Sequence, residues 1–367
     1  MNAVMTVDLS ELDAWSAQVQ RASDDLTGIA RNGGHSLVQT DFGPILETMM
    51  GAYNALLPSV VQSLEDNGTG MRDHAEALRA TARDFTLTED GVVRRHNARG
   101  VDGRDGSSSF WDVADTTIRR AAPTETSLPQ ISLGFPYDTV CDLVRMLTGF
   151  DIRAELADRI GGDVVSASSQ GSSFGALGQS MSGVAANLRS GGETISKTWQ
   201  GGASDAAIRQ IGTWVGSLDR QAGQLVQIGQ NVVQICRDAW QTALAVVQCV
   251  KSAVQTVSSA LATMSIPGVG WARVVQAVWQ AFQAVMKAYK AIMRLIDVLK
   301  QVASFIESVK RFFDGDKAPV STPTAPTATG APSSVTRDPS SVATPTVGQR
   351  PATPAPPAPV APVAATS

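Results

Sequence analysis

The sequence predicts an all-α protein built of long antiparallel helical hairpins, a coiled-coil-like bundle followed by a disordered C-terminal tail. Apolar residues step by three and four along most of the first 313 positions, with no alternating strand pattern outside the breaks. The last 50 residues, from Ala318, hold 12 of the 18 prolines in the chain. Proline at that density fixes φ and removes amide donors, so the tail is expected to be extended and solvated.

The first helix is marked by Leu12, Trp15, Val19, Ala22, Leu26 and Ile29, with Asp8 and Ser10 as candidate N-caps and Gly33-Gly34 as its expected end. Phe42-Gly43-Pro44 forms an aromatic-glycine bend, and proline suits the first position of the next helix. Leu46, Met49, Tyr53, Leu56 and Val60, then Met71, Ala75, Leu78, Ala82 and Phe85, continue the stripe past a kink expected at Pro58. Residues 1–98 therefore read as one helical hairpin. Glycine, serine and proline gather over 99–136, which reads as a linker with a short helix around Phe110 to Arg120.

Residues 137–313 read as a second helical unit, and 314–367 as the tail. Phe174, Leu177, Met181, Val184, Leu188, Gly191, Ile195 and Thr198 alternate by three and four. Beyond Trp199-Gln200-Gly201-Gly202, the series Ile211, Val215, Leu218, Ala222, Leu225, Gly229, Val232, Cys236, Ala239, Ala243, Val246, Val250, Ala253 and Val257 does the same. Two seamed helices joined by so few residues must run antiparallel with their seams together. Ile266-Pro267-Gly268 ends the longer one, and an amphipathic helix follows over 270–313 with a basic stripe at Lys287, Lys290 and Arg294.

Charge divides along the chain. Residues 1–100 carry 8 basic against 14 acidic side chains and residues 101–200 carry 8 against 12, whereas 201–317 carry 12 against 7. The basic stripe admits two readings: pairing with the acidic first hairpin, or a membrane-surface helix whose Val275 to Ile306 face enters an anionic bilayer. A chain of net charge −4 is a poor nucleic-acid reader.

Three cysteines and three histidines, with no Cys-x-x-Cys and no paired His, leave little for a metal site or a thiol catalyst. Neither a Walker loop nor Gly-x-Ser-x-Gly is present. The reading is a non-catalytic protein with no catalytic residue, metal, cofactor or small-molecule substrate. His35, His74 and His96 are expected at the surface, and the cysteines serve as small apolar residues. Gly212-Thr-Trp-Val-Gly216 is expected to mark close helix packing. Met1 to Ser10 lacks a basic and apolar signal-peptide pattern, and no run reaches about 18 uninterrupted apolar residues.

A hairpin of two heptad helices with Trp199-x-Gly201 at the bend, followed by Gly202, resembles the WXG family of early-secreted-antigen type, the substrates of the actinobacterial type VII (ESX) secretion system. Val184-Ala-Ala-Asn-Leu-Arg-Ser-Gly-Gly-Glu193 before the bend and Gly201-Gly-Ala-Ser-Asp-Ala-Ala207 after it resemble the longer WXG-like regions of multidomain substrates. The first hairpin is similar to a divergent member, with Phe42-Gly43 at its bend. The resemblance implies a substrate or co-secreted helper that acts by helix-helix association with ESX-like subunits or secretion machinery. It also implies export, to the medium or the cell envelope, by a route independent of a signal peptide; otherwise the chain stays in the cytoplasm. Family members carry a Tyr-x-x-x-Asp/Glu signal, which none of Tyr53, Tyr137 and Tyr289 satisfies here. Phe85-Thr-Leu-Thr-Glu89 is the degenerate candidate, and an ordinary core Phe85 is the competing reading.

Overall fold

The computed structural model describes residues 8–93, 110–123, 137–151, 162–262 and 270–315. It is all-α: α1 is Leu9–Ser36, α2 Glu47–Val93, α3 Tyr137–Thr148, α4 Val164–Ile195, α5 Gly202–Ala262 and α6 Gly270–Gly315, with a 3-10 turn at Pro44–Leu46. No β-strand occurs among the described residues.

Asp8 caps α1, its carboxylate accepting from the amides of Ser10 and Glu11. The six apolar residues read as the α1 stripe are all buried. The helix passes through Gly33-Gly34 to Ser36 where the sequence argued for a stop. A Cβ on Gly33 would lie 2.9 Å from Leu64 Cδ1, so Gly33 is a packing position and tertiary contact overrides its low helix propensity. The chain then turns at Gly43, whose φ is 80°, and Pro44 opens the 3-10 turn that feeds α2. Pro58 lies inside α2.

Asp163 caps α4 through the Ser166 amide. The seam residues from Phe174 to Ile195, and all fourteen from Ile211 to Val257, are buried, whereas Thr198, expected on the same seam, is half-buried in the turn beyond α4. The hairpins α1–α2 and α4–α5 share one continuous core, in which α1 packs against α2 and α4, and α4 against α5. A polar layer ties α2 to α5: Asn67 Nδ2 donates to Gln221 Oε1 at 2.6 Å and Ser63 Oγ to the same oxygen at 3.3 Å. One turn on, the Trp214 ring fills the space left by Gly70. The four helices thus form a bundle whose partners lie on one chain.

Close approach of α4 and α5 occurs at Gly171, Gly178 and Gly229. A Cβ on Gly229 would stand 2.6 Å from the Gly171 carbonyl oxygen, and one on Gly178 would stand 2.7 Å from that of Ala222. Gly212 and Gly216, expected to mark such packing, face no opposing helix: nothing lies near a Cβ at Gly212, and only Arg220 Nη1 lies near one at Gly216. They share a spacing with packing glycines but sit off the seam.

Residues 110–123 are not helical, although a short helix was expected there. Their backbone bonds go to side chains of α1 and α4. The Asn187 side chain accepts from the Ala114 amide at 2.7 Å and donates to its carbonyl at 3.1 Å. Gln18 donates to the Trp111 carbonyl, Arg21 to that of Phe110, and Ser180 to that of Thr116. Arg21 also pairs with Asp112 at 2.9 Å, Phe110 is buried, and Gly183 lets the Asp115 carbonyl sit against α4. A segment whose polar groups are taken by neighbours has no need of its own helical bonds.

The C-terminal part of α5 runs with α6, which also contacts α2, and α3 packs on both α5 and α6. The apolar face of α6 is used here: Val278, Val285, Ile292, Leu299 and Ile306 are buried. From Val278 to Ile306 this face is turned to protein, while Val275 near the start of α6 is exposed, so a membrane could not take up the whole Val275 to Ile306 face without opening the bundle. By length and composition α5 could cross a bilayer, with an 18-residue stretch of mean hydropathy 1.2. Its seam, however, is occupied by α4 and α6.

Candidate functional site

The Trp199 bend is built by overlapping turns. The Trp199 amide donates to the Ile195 carbonyl at 2.9 Å as α4 ends, and Asp205 N donates to Gly201 O at 3.0 Å as α5 begins. Between them Gly201 has φ 114°, a region that side chains rarely enter. Ser204 Oγ donates to the Trp199 carbonyl at 2.7 Å, closing the turn in a buried position. The indole is only 2% exposed. It meets Trp15 of α1 edge-on at 6.2 Å between ring centroids, and Phe85 of α2 at 6.4 Å.

One end of the bundle is therefore closed by three rings contributed by α1, α2 and the bend. Edge-to-face pairs of this kind add about 1 kcal/mol each beyond their burial. The structure brings Phe85 to Trp199, which separate hairpins supply. Glu89 belongs to α2, but its side chain lies outside the described residues. Trp15 was legible as a core residue, but nothing in its spacing shows that it would meet Trp199, since that contact is set by helix register across the bundle.

Gly201 and Gly202 separate cleanly. A Cβ on Gly202 would meet nothing within 4 Å, and its φ is not positive. Gly201→Ala should cost about 1–2 kcal/mol through strain in the left-handed region. Gly202→Ala should be neutral or slightly stabilising at a helix start. Urea unfolding of the two variants followed by circular dichroism checks this, and equal losses would show that the bend does not depend on the Gly201 conformation.

Lys287, Lys290 and Arg294 are exposed on α6. Among the described residues none of them forms an ion pair within the chain, and pairing with the acidic hairpin of a second chain is a separate matter. α2 meets α6 near its C-terminal end instead, where Ser59 bonds Asp314. His74 is a further correction. It is 3% exposed, not at the surface, and neither ring nitrogen has a hydrogen-bond partner. Its position three residues after Met71 places it on the inward stripe of α2. Burial pushes its pKa down to about 4. His35 is exposed and His96 lies outside the described residues.

Among the described residues, no three His, Cys, Asp or Glu side chains gather as a metal site would require. Cys141 and Cys236 are buried free thiols, and Cys249 Sγ donates to the Ala284 carbonyl at 3.0 Å. Among the described residues the ring cluster is Trp15, Phe85 and Trp199, and their contacts are edge-on packing. Comparison with protein-family models, with curated proteins and with solved structures gives no match.

Proposed function

We propose that the chain is a substrate or co-secreted helper of a type VII (ESX) secretion route, and that it acts by helix-helix association without catalysis. The observation that supports this most is the Trp199-x-Gly201 bend between two seamed helices, held in ring contact with Phe85 and Trp15 of a second hairpin on the same chain. A single hairpin of this kind leaves an apolar seam exposed, and a second one is needed to complete a bundle. Here α1–α2 covers the seam of α4–α5. Association with another subunit then uses an outer surface rather than the seam.

The test is the distribution of the chain between cell lysate and culture filtrate in a host with an active ESX system, compared with the same host lacking the secretion ATPase. Appearance in the filtrate only with the intact system is expected. Retention in the cell while other ESX substrates appear outside overturns the reading. Phe85→Tyr completes a Tyr-x-x-x-Glu spacing with Glu89, and increased export of this variant would assign the position to signalling. Unchanged export would leave Phe85 as a packing residue of the closed end.

A further inference from the structure

The solvent face of α6 changes character along its length. Trp271, Val275 and Trp279 follow each other at i+4 and are 60%, 51% and 56% exposed. The same ladder continues through Gln283 to Lys287, with Lys290 and Arg294 beside it, all exposed. Two tryptophans left in water on one helix face keep apolar area hydrated that a partner could bury, and such patches mark interaction surfaces. Trp279 also tilts against Phe282 at 5.6 Å, which touches Phe150, so the exposed ring is backed by a fixed aromatic cluster.

Charge decides what would cover this face. From Ala239 to Ile296 the chain contains no Asp or Glu, while Lys251, Arg273, Lys287, Lys290 and Arg294 supply five positive charges. On α3, which packs on both α5 and α6, Asp138 and Asp142 are exposed, and just after it Asp151 pairs with Arg145 at 3.5 Å. An acid-free, basic arm with interfacial tryptophans complements an anionic lipid surface. Indole rings favour the headgroup region, and lysine and arginine extend their stems to reach phosphates.

We infer that α6 lies flat on anionic membranes through Trp271, Val275 and Trp279, with Lys287, Lys290 and Arg294 on lipid phosphates. This stripe flanks the buried apolar face and is already exposed, so docking needs no opening of the bundle. It is also independent of the export route, and a chain that is never secreted could still dock.

The full chain is sedimented with phosphatidylcholine vesicles, with and without phosphatidylglycerol, at low and raised salt. Salt-sensitive binding to the anionic vesicles alone is expected. The triple variant Lys287→Gln/Lys290→Gln/Arg294→Gln should bind about a hundredfold more weakly, at about 1 kcal/mol per basic residue near the surface. Trp271→Ala/Trp279→Ala should lose at least about tenfold, from the apolar area that no longer leaves water. All five positions are exposed, so both variants should keep the wild-type helical circular dichroism and melting midpoint. The inference fails if the chain ignores anionic vesicles at low salt, if neutral vesicles bind it equally, or if either variant binds like wild type. It also fails if the wild-type chain self-associates without lipid and Trp271→Ala/Trp279→Ala makes it monomeric, since the stripe would then belong to a second copy.

Discussion

Replacing Gly229 by alanine should destabilise the chain by about 2 kcal/mol, and by leucine by about 3 kcal/mol or more, because the added atoms meet backbone and not a movable side chain. The first carbon of any side chain would stand 2.6 Å from the Gly171 carbonyl oxygen and 2.7 Å from the Gly175 amide nitrogen. Both belong to α4, so relief requires the two helices to separate, which loosens the buried seam on either side. Gly175 supplies the control from the same contact. A Cβ there would meet nothing within 4 Å, so Gly175→Ala should raise stability by about 0.5–1 kcal/mol through the smaller backbone entropy of the unfolded chain. Denaturant midpoints of the two variants should move in opposite directions. If both gain stability, α4 and α5 do not approach closely at Gly229 and the register of the hairpin is different.

The contrast between these glycines shows what could be read in advance. Gly229 was placed on the α5 seam by its three-four spacing, alongside thirteen other residues that are all buried. Periodicity is a property of one helix and survives in the sequence without knowledge of the partner. The spacing of Gly212 and Gly216 alone carries no such information, because close packing depends on what stands opposite, and no opposing helix stands near either. The strap at 110–123 was illegible for the same reason. Its bonds go to Gln18 on one side and Asn187 on the other, with sequence separations of 93 between Gln18 and Trp111 and 73 between Asn187 and Ala114. Glycines and serines just before it resemble an ordinary linker. At the closed end, the Trp199 bend was legible because a turn needs local residues. Its contact with Trp15 and Phe85 required the register of two hairpins.

Acidification from pH 7.5 to 5 should cost the fold about 2 kcal/mol through His74 alone, approaching about 3 kcal/mol near pH 4. The sign follows from burial. His74 is held neutral in the folded chain with its pKa lowered from 6.5 to about 4, and desolvation is the cause. The unfolded chain takes up the proton first as pH falls through about 6.5, so the unfolded state is favoured progressively until the folded state also protonates near pH 4. Stability from this group is complete above pH 7 and lost on the acid side. Asp25 works in the opposite sense, since burial raises its carboxyl pKa, so its contribution is present at low pH and fades as pH rises. Comparing wild type with His74→Leu removes that background. The variant should lack the acid-dependent loss between pH 7 and 5, and should be at least as stable at neutral pH, because two buried ring nitrogens without partners are replaced by apolar carbon. Urea midpoints at three pH values measure this directly. Parallel slopes for the two proteins would mean that His74 reaches water or a partner in solution, and that the inward face of α2 is not closed at that turn.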